Sequence, residues 1–245
     1  MGLCEVVGFE PVEAECAKLK QIYPEHRFLP YCLGDGGARE FFVTRNAMTS
    51  SLIEPDNDLM DRFEYLSELV QVARKEPVQT HRLDDVAELP PDIDYIKADT
   101  QGSEHEIFSH ARRVLSQPAM VQTEVEFVPL YKSQPLFGAV DALLRGQGFE
   151  FHRLVNVSGR RFRGASALPR GVGESQQLWA DAVYVKSFMH LERLTPDKLL
   201  KLAIMLHVIH GSCDFAAAVL AAHDARAGTR LHPDYLAYLN EMTAE

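Results

Sequence analysis

The stretch "IDYIKADTQGSEHEIF", residues 93–108, decides the fold. Its first half is a short apolar run that ends in an acid, Asp99, and reads as a strand covered on both faces. Thr100-Gln101-Gly102 turns the chain. Ser103, with Glu106 three residues on, predicts a capping box. The helix it opens carries Ile107, Ala111, Val114 and Leu115. Strand, acid, glycine turn and helix form the repeating unit of an α/β sheet.

Similar units lie on either side. Upstream, Val6–Phe9 reads as a strand that ends at Glu10, and Pro11 suits the first position of a helix running to Ile22. "RFLPYCLG" (27–34) reads as a second strand, closed by Gly34 and the turn at Asp35. "AREFFVTRN" (38–46) is an inserted strand. Leu59, Phe63, Leu66 and Val70 predict a helix over 58–74, and "VQTHRLDDV" (78–86) a short strand and turn. Downstream come a strand in "AMVQTEVEF" (119–127), a helix over 136–145, and strands in "FEFHRLVNV" (149–157) and "LWADAVYVK" (178–186). The order predicts an α/β fold with a doubly wound, mostly parallel sheet and one antiparallel member. From residue 188 the texture changes. Thr195 caps a helix with Pro196 at its first position, and helices at about 214–224 and 233–242 follow. Two parts are expected: a domain over 1–187 and a C-terminal helical appendage over 188–245, whose broad Leu/Ile face offers a surface for oligomer or partner contact.

The chain has 245 residues and a net charge of −10. Such a field argues against broad binding to nucleic acid or to an anionic membrane. No apolar run reaches the length of a membrane span. Cys4, Cys16, Cys32 and Cys213 form no CxxC pair. Together with the lack of a leader-like N-terminus, this predicts a reduced, cytoplasmic protein.

In open α/β sheets ligands bind beyond the carboxyl ends of the strands. That rule selects Glu10, Gly34 with Asp35, Asp99, and Glu124 with Glu126. Glu10 suits the two hydroxyls of a ribose, or else caps the helix that follows. Asp99 suits a general base, a hydroxyl-orienting group or a ligand to a divalent cation, or else caps its turn. Lys97 shares its strand face and is a candidate partner. Glu124 and Glu126 share a strand face too. Two buried like charges are costly, so one should be solvated or paired, and Glu124 is the functional candidate. Arg160, Arg161 and Arg163 form a basic loop suited to an anionic group on a substrate. His207 and His210 have no third ligand in sight, so no metal is expected.

Taken in order, "VVGFEP", "LGDGGAREFFVT" with "SSL", "LDDV", "IDYIKADTQGSEHEIF", "EVEFVPLY", "QPLF" and "LLRGQGF" resemble the FkbM family of S-adenosylmethionine-dependent methyltransferases. The match runs over about residues 5–155. The resemblance implies a class I, Rossmann-like methyltransferase sheet, with O-methylation of a hydroxyl on a small molecule or glycan. It implies S-adenosylmethionine as cofactor, held by Glu10, Pro11, Gly34, Asp35 and Asp99. Asp99 or Glu124 would draw off the proton. The family's lysine-x-aspartate-x-glutamate-glycine motif falls on Lys97, Asp99 and Gly102, with Gln101 in place of the glutamate. The family's first strand and glycine-rich loop would precede residue 1, so the sheet is expected to be N-terminally truncated. The alternative is a degenerate, non-catalytic scaffold of the same fold. A nicotinamide-dependent dehydrogenase also suits Glu10 but explains none of the later motifs.

Overall fold

The computed structural model describes residues 4–165, 167–169 and 172–242. Strands β1 (Val7–Phe9) and β2 (Arg27–Leu29) pair in parallel around helix α1 (Glu13–Ile22). Strand β3 (Cys32–Leu33) lies parallel to β5 (Val72–His81), and β4 (Ala38–Thr44) lies antiparallel to β5. The largest sheet has the order β6-β7-β9-β8, from β6 (Tyr95–Ala98), β7 (Met120–Glu126), β8 (Phe149–Gly159) and β9 (Gln177–Lys186). In it β9 is the antiparallel member.

The alternation of β9 sets the layers. Ala182 and Tyr184 face one side, Val183 and Val185 the other, as the period of two requires. On the first side they join Val121 and Val125 against helices α4 (Glu104–Ser109), α5 (Arg112–Leu115) and α6 (Phe137–Gly146), through Ile107, Phe108, Leu115, Val140 and Leu144. On the second side, Met120, Val183 and Val185 meet Leu199, Leu202 and Leu206 of α7 (Pro196–Val208). Ala216, Val219 and Leu220 of α8 (Cys213–Ala227) join them. Helix α9 (Leu231–Met242) packs on α8. The C-terminal helices therefore cover one face of the sheet and share its core. Lys198 locks α7 to the segment entering β6. Its Nζ donates to the Ile93 carbonyl at 2.6 Å and to Asp94 at 2.7 Å, and pairs with Asp92 at 2.7 Å. Thr195 caps α7 as expected, accepting from the Lys198 N–H.

Several expectations need correction. The strand expected over 27–34 is two strands in different sheets. Pro30 has no N–H to give a ladder, and the chain leaves β2 there for β3. The helix expected over 58–74 is absent. Only two helical turns form, α2 (Asn57–Met60) and α3 (Leu66–Leu69), separated by the left-handed Tyr65 at φ 61°. Residues from Val72 belong instead to β5, a ten-residue strand held by its pairing with β4. Helix α1 starts at Glu13 behind Val12, so Pro11 precedes the helix rather than opening it. Among the described strands, three pairings are parallel and three antiparallel, in three sheets, so the fold is mixed α/β and not mostly parallel. Also among the described residues, β1 and β6 each pair along one edge only. No described helix is long and apolar enough to cross a membrane.

Candidate functional site

Strand β6 delivers Asp99 to the carboxyl edge of the main sheet, beside the end of β7. The turn that follows is not closed by the expected capping box, because the Ser103 side chain makes no cap bond to the helix. Glu104 does the work. Its carboxylate accepts from the Thr100 N–H at 2.5 Å and the Thr100 hydroxyl at 3.0 Å. Glu106 instead pairs with Arg39 of β4.

Asp99 is exposed and pairs with Lys97 at 3.2 Å, so the strand-face partnership holds. Gln101 lies between the two candidate acids. Its Nε2 donates to Asp99 at 3.0 Å and to Glu124 at 2.8 Å, while its Oε1 accepts from the Tyr131 hydroxyl at 3.0 Å. Glu124 is half-buried, and Glu126, two residues on, is the more deeply buried of the two. Burial pushes the Glu124 carboxyl up to about 9, with the charges of Asp99 and Glu126 adding to the effect. Burial also raises Glu126 to about 8, with Glu104 next in weight. Glu104, buried behind them, is raised by the same cause. The strand end is thus a cluster in which Glu124 and Glu126 hold protons at neutral pH while Asp99 reaches solvent.

A second group gathers on the β1 and β3 side. One Glu10 carboxylate oxygen accepts from the Val12 N–H at 2.8 Å, at the start of α1. Gly34 is closely approached: a Cβ there would lie 2.9 Å from Thr80 and 3.1 Å from Glu106. Asp35 turns back on its own loop, accepting from the Gly37 N–H at 2.8 Å and Thr80 at 3.2 Å. The Gly37 bond is the largest cause holding its carboxyl below the usual range. Burial lifts the Cys32 thiol to about 11, with the carboxylates of Glu106 and Glu10 adding to it, and Glu106 lies against Gly34 at the end of β3. Helix α4 therefore joins the two groups, with Glu104 in one and Glu106 in the other. Beside it a cavity of about 620 Å³ is lined by Gly102, His105, Glu106, Arg39, Ile53 and Lys132.

The three loop arginines are not brought to this edge as a free patch. Arg160 stacks on Trp179, 4.7 Å from the ring centre. Arg161 donates to the carbonyls of Leu168, Pro169 and Val172. Arg163 binds Asp61, Ser67 and Glu68. His207 Nδ1 is taken by Tyr235 at 2.9 Å, and among the described residues no group of three or more His, Cys, Asp or Glu side chains suits a metal ion. Sequence reasoning missed Tyr131 and Ser51, whose links to Gln101 span 30 and 50 residues.

No curated protein and no solved structure gave a match to the chain. The family described as the methyltransferase FkbM domain matches residues 1–151, well over half of the 245. Asp99, Gln101, Gly102, Glu104 and Glu124 all lie inside that span. The chain belongs to the FkbM methyltransferase family.

Proposed function

We propose that the chain is an S-adenosylmethionine-dependent O-methyltransferase domain of the doubly wound, Rossmann-like class, acting on a hydroxyl of a small molecule or glycan. The family match supports methyl transfer. The observation that carries the site is the bridge from Asp99 through Gln101 to Glu124 at the strand ends, where α/β sheets bind ligands.

The residues fit the cofactor. Glu10 has one oxygen engaged by Val12, and the other would accept from a ribose hydroxyl, with Pro11 next in the chain. Gly34 lets Thr80 and Glu106 pack against the backbone where β3 ends, and Asp35 holds the turn that follows, beside which the cofactor would lie. When bound, S-adenosylmethionine supplies a methyl group on a sulfonium for a nucleophilic oxygen. The chain's own part is orientation and proton handling. Glu124 holds its proton at neutral pH, so it donates a hydrogen bond and does not act as the base. Asp99, exposed and steadied by Lys97, is the acceptor for the proton of the substrate hydroxyl. Arg160, Arg161 and Arg163 shape the loop between β8 and β9, and an anionic substrate group would have to compete with their present partners.

Transfer of a labelled methyl group from S-adenosylmethionine to a panel of sugars and small alcohols tests the reading. Wild-type chain should label at least one acceptor class and Asp99→Asn should lose about 10²-fold or more of the rate. An Asp99→Asn rate equal to wild type would remove Asp99 from the chemistry. Donor binding with no transfer to any acceptor would favour the non-catalytic scaffold.

A further inference from the structure

Gln101 is held far more firmly than a turn residue requires. Its backbone lies in the left-handed region at φ 56°, which a non-glycine residue enters at a cost, and Gly102 follows at φ 97°. Ser51, buried and paired through its main chain with Phe42, donates its hydroxyl to the Gln101 carbonyl at 2.6 Å. Tyr131, also buried, donates to the side-chain Oε1. The Asp99 carboxylate can only accept, so the NH2 faces the two carboxyls and Oε1 faces the Tyr131 hydroxyl, which also lies 3.3 Å from the Thr49 carbonyl. Both N–H donors are then used, one on Asp99 and one on Glu124. Segments around residues 51, 101 and 131 thus combine to aim one neutral amide at two acids.

We propose that Gln101 is a positioning residue, whose amide fixes the spacing of Asp99 and Glu124 so that both address one acceptor hydroxyl. The proposal rests on the proton-handling reading of those two acids. Neutrality matters to it. A glutamate at 101 would replace two donors with oxygens facing oxygens, in a place already crowded by acids. Glu124 is faced by Asp99 with its partner Lys97 from β6, by Glu104 from α4, by Glu126 on its own strand, by Asp181 from β9 and by Tyr131 from the segment after β7. Gln101 is the neutral donor that separates the first of these from Glu124.

The test is the titration of Glu124, followed by carboxyl ¹³C NMR in the intact chain, with thermal melting as a check on folding. Wild type should titrate near 9. Gln101→Met, which keeps the bulk and removes the donors, should move the midpoint up by about one pH unit. Gln101→Glu should move it further. Tyr131→Phe leaves residue 101 in place and frees its amide to turn, so it should move the midpoint the same way by less. It keeps the test sharp if the residue 101 variants fail to fold. An unmoved Glu124 midpoint in the folded variants would overturn the role of Gln101, since a purely structural residue would change melting and not the titration. S-adenosylmethionine binding by wild type is measured alongside. Its absence overturns the donor reading, whereas an unmoved titration with intact binding overturns the positioning role alone.

Discussion

Replacing Glu124 with glutamine should make the protein more stable, and more so as the pH rises. The side chain stays the same size, and its oxygen can still accept from Gln101. What changes is the proton. The wild-type carboxyl is lifted from 4.5 to about 9, chiefly by burial. Between those values the folded chain holds a proton that the unfolded chain has released. Stability therefore falls with rising pH across that window and is level outside it. At about 1.4 kcal/mol per pH unit, the full effect is about 6 kcal/mol above pH 9 and about 3.4 kcal/mol at pH 7. Relaxation and water entry reduce such penalties in real interiors, so roughly half is expected. Glu124→Gln should be nearly neutral at pH 5, stabilising by about 2 kcal/mol at pH 7 and by about 3 kcal/mol at pH 9. Urea unfolding at the three pH values measures it. Glu126 titrates in the same region and gives both proteins a slope, so the difference between them reads Glu124 together with its coupling to Glu126. A difference that stays flat from pH 5 to 9, or shrinks, would refute the claim that Glu124 is buried with its proton.

Other outcomes follow from the packing. Leu144→Ala, in the fully buried core under α6, should cost about 2–5 kcal/mol in unfolding experiments. Lys198→Ala strips the buried cation that ties α7 to Asp92 and Asp94, and should lower stability by about 2–4 kcal/mol, with the loss eased in Lys198→Met. Gly102→Ala puts a Cβ 2.7 Å from the Gln134 amide nitrogen at φ 97°. The flexible Gln134 can yield but the backbone cannot, so a loss of about 1–2 kcal/mol is expected in thermal unfolding.

The main sheet was legible because its strands carry their own signal. Residues 119–127 and 178–186 carry apolar side chains on both faces at their Met120–Val121 and Ala182–Val185 ends, where a helix layer lies on either side. The helix expected over 58–74 fails for an instructive reason. Phe63, Leu66 and Val70 do face one apolar cluster, where Leu59 also packs. Their spacing reports that shared direction, but a looped chain with two helical turns satisfies it as well as a helix does. The β5 strand was hidden because Arg74, Lys75 and Glu76 are exposed and Pro77 follows, so its order comes from pairing with β4 rather than from its own pattern. At the site, Asp99 and Glu124 were reached from the strand-end rule alone. Gln101 stood out only as a departure from a motif. Its meaning depends on Ser51 and Tyr131, and contacts over such separations leave no local trace.

The central claim is that the strand ends carrying Glu10, Gly34 and Asp99 hold a methyl donor, with Glu10 on its ribose. Calorimetric titration of the intact chain with S-adenosylmethionine tests it most directly. The expected result is saturable one-to-one binding that Glu10→Ala weakens by about 1–3 kcal/mol, the scale of a lost charged hydrogen bond. No heat at high protein concentration, or a Glu10→Ala affinity equal to wild type, would contradict it.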